Sequence, residues 1–378
     1  MEQTDIKPIL KNILKTIAGF GIAPPGTAHI FDAGTGGYLK YFETEIIDEL
    51  ISYEGATCRF FEGVYGSGKS HLLQLLKELA FRKGMVVAGT DLSQALGLTD
   101  WKLITQYILE NMEARIDGEI IRSLPKILSA AMKKTTPENI DKLRKSNLPC
   151  PGFKNAMLFG LQIDKLSANA KDKLTEFLLG NKVLLSELKK EGLIGIKGHL
   201  SQRNAEAVLK TLLGGLSYIG FTGTMLLFDE NEKTLLKSTK KNLIAANLMR
   251  RMIDGCANGL MIGSIVIFTV LPGFLENCSM RYPALGQRLQ IVKGGFDKPS
   301  WRWPVLTINF VNSTQDPEDF LEQAIKSFIN IVERLNGKSI NLYSAMKTQG
   351  LKVLERNVGL GYKRELMRVL SMIAFENL

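Results

Sequence analysis

Cysteine and histidine are scarce in this chain of 378 residues, which contains four cysteines and three histidines. The cysteines are Cys58, Cys150, Cys256 and Cys278, and no two of them form a C-x-x-C pair. Zinc sites and disulfide frameworks depend on closely spaced cysteine or histidine residues. The sequence therefore predicts neither a zinc site nor a fold stabilised by disulfides.

The sequence also lacks the features of a secretory signal and of a membrane-spanning helix. Residues 1–5 lack the basic start and the apolar segment of a signal peptide. The longest apolar stretch, residues 260–275, contains Pro272 and is short for a transmembrane helix, so we interpret it as a buried strand. We expect a cytoplasmic protein that does not bind a membrane.

Basic side chains outnumber acidic ones, with 48 lysines and arginines against 38 aspartates and glutamates and a net charge of +10. This excess permits a polyanionic partner such as double-stranded DNA, although an ordinary basic protein has the same balance. The hydrophobic fraction of 45% is normal for a globular protein. The length leaves room for one domain of ordinary size and an insertion or a smaller second domain.

A phosphate-binding pattern occupies residues 63–70, GVYGSGKS, which fit G-x-x-x-x-G-K-[ST] at every fixed position. The flanking residues predict a short buried strand over 57–61 and a helix over 71–81. Backbone N–H groups of such a loop bind phosphate oxygens, Lys69 reaches the β- and γ-phosphates in catalysis, and Ser70 coordinates Mg²⁺. We therefore predict a Walker A loop that binds ATP. Its nucleotide-binding residues are Gly63, Val64, Tyr65, Gly66, Ser67, Gly68, Lys69, Ser70 and His71.

A second motif follows an apolar strand predicted over residues 224–228, which ends in Asp229 and Glu230. This is the Walker B arrangement, in which Asp229 holds Mg²⁺ and Glu230 is the general base that activates the attacking water. The next predicted strand, 263–269, ends in Thr269, where a hydroxyl could bond to the γ-phosphate or to that water. A threonine at a strand end is also ordinary β structure.

Two arginines are candidates for the stabilisation of charge during phosphoryl transfer. Arg288 lies near the end of a helix predicted over 281–289, and such an arginine completes a neighbouring subunit's site in oligomeric ATPases. We therefore expect a homo-oligomer, with Arg281 as the reserve candidate and a surface ion pair as the alternative role of Arg288. Arg364 opens the last predicted helix, 362–375, from which its cation could reach the phosphates.

The predicted fold is α/β of the P-loop type, a parallel sheet flanked by helices. Residues 1–56 are expected to form a helix and a loop that packs on the nucleotide base or serves as a plain connector. Residues 57–312 form the ATPase domain, and residues 313–378 form a helical lid. A lysine-rich block at about 113–200 shows no strand pattern and predicts a helical insertion. Its lysines form either a solvated surface or a nucleic-acid face.

The order of these segments resembles that of the BrxD-type ATP-binding proteins of bacteriophage exclusion (BREX) systems. The segments that carry the resemblance are 21–25, 63–71, 220–223, 226–232, 271–274, 283–289 and 363–366. The resemblance implies an AAA+-like ATPase that acts in defence against phage, with other defence proteins as partners. It implies that Lys69 and Ser70 fill Walker A positions, Asp229 and Glu230 Walker B positions, Arg288 the arginine finger and Arg364 the second sensor.

Three functions stay open at the level of the sequence. The first is an ATPase whose hydrolysis assembles or remodels a complex on DNA. The second is a nucleotide-dependent switch that hydrolyses ATP slowly and signals to protein partners. The third is a small-molecule kinase, which requires an acceptor pocket. The pair Asp229 and Glu230 favours the ATPase, because a switch has less need of both carboxylates.

Overall fold

The computed structural model describes most of the chain as helices and strands that form two compact units. The first unit holds Met1–Phe42, Phe61–Glu78 and Asn309–Leu378, and the second holds Glu43–Phe60 and Leu79–Ile308. Each unit has a hydrophobic core of its own. The residues described are 6–24, 26–32, 35–91, 98, 100–229, 239–290, 305–309, 316–336, 341–357 and 361–378.

A seven-stranded sheet organises the second unit within the described part of the chain. The strands are β1 Ala56–Glu62, β2 Val86–Asp91, β3 Glu113–Ile116, β4 Glu119–Arg122, β5 Thr224–Asp229, β6 Ser264–Val270 and β7 Val305–Asn309. They lie in the order β4-β3-β2-β5-β6-β1-β7, and β5 runs parallel to both of its neighbours. The α/β class is therefore confirmed, and the apolar stretch that begins at residue 260 contains a strand, as predicted.

Aromatic packing fixes the central strands to one another. Phe228 of β5 lies opposite Phe268 of β6, and their ring centroids are 4.9 Å apart in a stacked arrangement. Phe60 of β1 stacks on the other side of Phe268 at 5.2 Å. All three rings are buried. Because cross-strand aromatic pairs hold the register of a sheet, this ladder fixes the strand ends that come directly after Phe228 and Phe268.

One edge of the sheet corrects two expectations from the sequence. Strand β3 pairs antiparallel with both β2 and β4, so the sheet is mixed, and the expectation that residues 113–200 contain no strand is wrong for 113–122. The turn between β3 and β4 contains Asp117 and Gly118 with φ of 53° and 88°. Asp-Gly is favoured in such tight hairpin turns, because both central residues need positive φ. Strands of four residues are too short to show a clear alternation of apolar and polar residues. The Asp-Gly dipeptide was therefore the one sequence signal for this hairpin.

Helices make up most of the remainder of the second unit. They are α4 Trp101–Asn111, α5 Leu124–Ala131, α6 Pro137–Lys145, α7 Pro151–Leu161, α8 Ala168–Leu178, α9 Leu185–Lys190, α10 Ala205–Tyr218, α11 Thr239–Ala257, α12 Phe274–Arg281 and α13 Pro283–Gln290. Their apolar faces share one core with the sheet, as Leu128, Leu174 and Leu209 illustrate. Residues 124–190 are thus mainly helical, because leucines at helical spacing give each helix one face to bury.

The first unit brings the two ends of the sequence together. Its helices are α1 Ile6–Phe20, α2 Gly36–Tyr41, the first part of α3 Lys69–Arg82, α14 Pro317–Asn336, α15 Tyr343–Arg356 and α16 Lys363–Glu376. Helix α1 packs on α16, and Leu14, Ile17 and Leu370 lie in the same core. The sequence division placed α1 and α16 in different parts, and those domain bounds stay predictions.

Short helical turns complete the described chain. A 3-10 turn covers Ala28–Phe31, a π-helical turn at Phe42–Asp48 follows α2, and further 3-10 turns cover Ile51–Tyr53 and Ile163–Lys165. Among the residues described, no helix has both the length and the apolar character needed to cross a bilayer.

Candidate functional site

The P-loop is shaped by a tight turn that leads into a helix. Helix α3 begins at Lys69, and the start of a helix is a position at which backbone N–H groups bind anions in other proteins. Gly66 and Gly68 precede it with φ of 79° and 102°, a conformation that other residues rarely adopt. Glycine is therefore suited to both positions, and the binding of ATP by this loop stays a prediction.

The polar side chains of the loop fit a phosphate group. The ammonium of Lys69 donates to the carbonyl oxygens of Gly63 at 2.6 Å and Val64 at 3.0 Å, and its side chain is largely buried. The hydroxyl of Ser67 is buried and has no hydrogen-bond partner among the described residues. Buried polar groups in native proteins are nearly always bonded. A phosphate oxygen is an acceptor that would satisfy the hydroxyl of Ser67.

The backbone leading into α16 touches the P-loop directly. A Cβ atom added to Gly361 would lie 1.7 Å from the carbonyl oxygen of Tyr65, and one added to Gly66 would lie 2.7 Å from the carbonyl oxygen of Gly361. Real Cβ atoms do not approach other atoms so closely, so both positions require glycine. This contact places the start of α16 against the residues that are predicted to hold the nucleotide.

Arg364, in the first turn of α16, contacts the same loop. Its guanidinium donates to the hydroxyl of Tyr65 and lies 5.5 Å from the centroid of that ring. Its Nε donates to the carbonyl oxygen of Phe20 at 3.0 Å. The structure thus brings Arg364 to the P-loop, through neutral partners. Its role as a second sensor stays a prediction.

Glu78 of α3 holds the loop that follows α1. Its carboxylate accepts a hydrogen bond from the backbone N–H of Ala28 at 3.0 Å and bonds to Nδ1 of His29 at 2.8 Å. Glu78 is buried, whereas the side chain of His29 is largely exposed. The predicted base-binding loop is therefore tied to the P-loop helix. Sequence reasoning missed Glu78, because an acceptor for a backbone N–H follows no spacing rule.

The carboxyl ends of neighbouring strands in the second unit bring polar residues together. The buried hydroxyl of Thr269 donates to a carboxylate oxygen of Asp229, across from β6 to β5. Asp91 occupies the register position opposite Asp229 on β2. The sequence assigned Thr269 to the γ-phosphate or the attacking water, and that role stays a prediction; in this structure its hydroxyl bonds to Asp229. Glu230, the predicted base, lies outside the described residues.

Arg288 forms an ion pair within its own chain. Its Nε donates to Oδ1 of Asp254 at 2.8 Å and its Nη2 to Oδ2 at 3.2 Å, while Nη1 donates to the carbonyl oxygen of Ala284. The hydrogen bond to Asp254 raises the pKa of Arg288 above its usual value. This geometry matches the alternative named from the sequence, an ordinary ion pair. Arg281 is exposed at the end of α12.

Many lysines of residues 113–200 face solvent beside carboxylates. Lys134 pairs with Asp117, and Lys171 pairs with Asp164 at 2.8 Å. Exposed pairs of this kind contribute little to stability but offset positive charge locally. The pairing favours a solvated surface over a nucleic-acid face. Further pairs join Lys142 to Glu54, Lys145 to Asp141 and Lys173 to Glu187.

Comparison with protein families decides the relationship. A family model described as BREX system ATP-binding protein BrxC/D matches residues 11–148 and 153–314, well over half of the chain. The chain belongs to this BrxC/D family. The resemblance predicted from the sequence is confirmed at that level, and the match does not separate the BrxC type from the BrxD type. No curated protein and no solved structure matches the chain.

The family match includes the P-loop, Asp229, Thr269 and Arg288. It does not reach α16, so the placement of Arg364 at the loop is an observation of this structure alone. The P-loop and α16 belong to the first unit, and the ends of β5 and β6 belong to the second.

We expect the replacement Glu78→Ala to release the loop at Ala28. Hydrogen bonds to a charged group contribute about 1.5–3 kcal/mol, so amide exchange at residues 26–32 should accelerate by about 10-fold to 100-fold. Hydrogen–deuterium exchange of the nucleotide-free protein measures this effect. Glu355→Ala, an exposed glutamate on α15, removes the same charge as a control. Unchanged exchange in Glu78→Ala would show that the carboxylate does not hold the loop.

Proposed function

We propose that this protein binds ATP in the P-loop and hydrolyses it in order to assemble or remodel a complex on DNA during defence against phage. The observation that carries the proposal is the loop itself, where Lys69 is folded onto loop carbonyls and the buried hydroxyl of Ser67 lacks a partner among the described residues. Membership of a family described as ATP-binding supports the choice of nucleotide.

Binding in this proposal uses the groups around α3. Backbone N–H groups of the loop and the N-terminus of α3 hold the phosphates, and Lys69 exchanges its carbonyl partners for phosphate oxygens. Ser70 and Asp229 are the residues that would hold Mg²⁺. When bound, the ion neutralises charge on the β- and γ-phosphates. Arg364 orients Tyr65 and α16 beside the bound nucleotide.

Hydrolysis in this proposal depends on the Walker B residues. Glu230 accepts a proton from the attacking water, as a general base does. Thr269 positions Asp229 through its hydroxyl, so that the carboxylate keeps one orientation. The sheet order supports these roles, because β6, which ends near Thr269, lies between the Walker B strand β5 and the strand β1 that leads into the P-loop.

Beyond membership of the family, we propose a fold type, an oligomeric state, a subtype and partners. We propose an AAA+-like P-loop fold, a homo-oligomer whose sites are completed by Arg288, and the BrxD type within the family. Other defence proteins and double-stranded DNA are the proposed partners. The net charge of +10 supports DNA, while the ion pairs of the lysine-rich helices argue that its contact lies elsewhere on the chain.

A slow nucleotide switch is the second candidate function. The ion pair between Arg288 and Asp254 favours the switch. An arginine that is paired within its own chain does not reach the nucleotide site of a neighbouring subunit. Phosphate release from ATP, measured over a range of protein concentrations with and without duplex DNA, separates the two. A rate that rises with concentration and DNA supports the remodelling ATPase, and a flat rate near zero with tight ATP binding supports the switch.

Two substitutions separate binding from hydrolysis. We expect Lys69→Ala to weaken ATP binding by about 10-fold to 100-fold, because charge-assisted hydrogen bonds to the phosphates are lost. We expect Glu230→Gln to bind ATP like the wild type and to hydrolyse it about 100-fold to 10,000-fold more slowly, since a general base contributes that much. Titration calorimetry and phosphate release measure the two effects.

Lys15→Ala, an exposed lysine on α1, is the matched control and should change neither quantity. Normal turnover by Glu230→Gln would show that Glu230 is not the general base. Normal ATP binding by Lys69→Ala would remove the P-loop as the binding site.

A mixing experiment tests Arg288 as a residue that acts on a neighbour. Arg288→Ala and Glu230→Gln should each be inactive alone, while a mixture should recover hydrolysis, because one subunit supplies the base and the other the arginine. Asp254→Asn, which weakens the ion pair without removing the arginine, should retain hydrolysis. If the mixture stays inactive and Asp254→Asn loses stability to the same extent as Arg288→Ala, the arginine has a structural role only.

A further inference from the structure

Lys363 is the first residue of α16 and lies beside the P-loop. Its Cδ atom is 3.6 Å from the position that a Cβ atom on Gly68 would occupy. Gly68 directly precedes Lys69 in the Walker A pattern. The side chain therefore passes the part of the loop that is predicted to hold phosphate. The sequence pattern gave a role to Arg364 and none to its neighbour.

The ammonium of Lys363 has an incomplete set of partners. It lies 4.6 Å from the centroid of the Phe320 ring on α14. Among the residues that the structure describes, no hydrogen bond and no ion pair to its Nζ is found. An ammonium has three N–H donors, and a partly buried cation is costly when those donors are unsatisfied. A phosphate oxygen would satisfy them.

The carboxylate of Asp32 is a negative charge that acts on the ammonium of Lys363, and its effect is smaller than that of burial. Burial lowers the pKa of Lys363, and the carboxylate of Asp32 only partly offsets that effect. Asp32 is itself bonded to the N–H and hydroxyl of Thr35. Burial also lowers the pKa of His71, which favours a neutral ring at neutral pH. Lys363 is thus a second lysine beside the loop, in addition to Lys69.

Arg364 bonds to partners that differ from those of Lys363. Its guanidinium is engaged by the hydroxyl of Tyr65 and the carbonyl of Phe20, and Tyr65 is mostly exposed. Two adjacent cations at the start of α16 therefore reach different parts of the loop. Arg364 lies at the exposed tyrosine, and Lys363 lies at the glycine next to the phosphate-binding lysine.

We propose that Lys363 is a nucleotide-binding residue whose ammonium moves from the Phe320 ring to the phosphate chain of the nucleotide, while Arg364 keeps α16 on Tyr65. The inference rests on the proposed function, because it requires ATP in the P-loop. It deepens that function by assigning a second phosphate-binding lysine, from the C-terminal helix.

The test is displacement of a fluorescent ATP analogue by ATP and by inorganic tripolyphosphate, which has phosphates but no base. Lys363→Met keeps the apolar stem and removes the charge. It should weaken binding of both competitors by about 10-fold, the loss of one charge-assisted contact. Lys363→Arg should stay close to the wild type. Lys352→Met, an exposed lysine on α15, is the control and should change nothing.

A structural role gives a different pattern. Loss of the contact with Phe320 alone would lower the melting temperature of nucleotide-free Lys363→Met but not of Lys363→Arg, which keeps a cation over the ring, and the affinity for both competitors would be unchanged. That result would overturn the inference, as would a loss of ATP affinity without a loss of tripolyphosphate affinity. If the wild type does not bind ATP, the proposed function itself fails. If the wild type binds ATP, Lys69→Ala does not, and Lys363→Met binds normally, only the role of Lys363 is refuted.

Discussion

The backbone of the P-loop and the backbone leading into α16 are in direct contact, at Tyr65 and Gly66 on one side and Gly361 on the other. Neither Gly66 nor Gly361 leaves room for a Cβ atom. This approach brings the first turn of α16 to the loop, where Arg364 bonds to Tyr65 and Lys363 passes Gly68. Side chains far apart in sequence thus lie beside the loop that is predicted to bind phosphate, because two residues lack side chains.

A second constraint acts on strand β5, which ends at Asp229. Phe60, Phe268 and Phe228 form a buried stack across three neighbouring strands, so the strands cannot slip relative to one another without breaking it. Asp229 follows Phe228, and Thr269 follows Phe268, so the stack sets the distance at which their side chains bond. The orientation of the carboxylate is thus a property of the core of the second unit.

Local patterns in the sequence predicted the features that depend on local chemistry. The P-loop conformation follows from glycines at fixed spacing, the buried strand before Asp229 from its run of apolar residues, and the helices from leucine periodicity. The contacts of Glu78, Thr269 and Lys363 could not be predicted, because each joins residues that are distant in sequence and obeys no spacing rule. The hairpin at Asp117 and Gly118 is different. Its Asp-Gly dipeptide is a sequence signal for a tight turn, so the hairpin could have been predicted even though its short strands show no periodicity.

We propose that the P-loop and the start of α16 bind the nucleotide as one surface. Hydrogen–deuterium exchange with and without saturating ATP and Mg²⁺ tests it most directly, because a bound ligand slows the opening of the segments that it contacts. We expect residues 63–70 and 361–370 to gain protection together, and both changes to be lost in Lys69→Ala. Protection of the P-loop alone, with unchanged exchange at α16, would show that the two segments do not bind the nucleotide together.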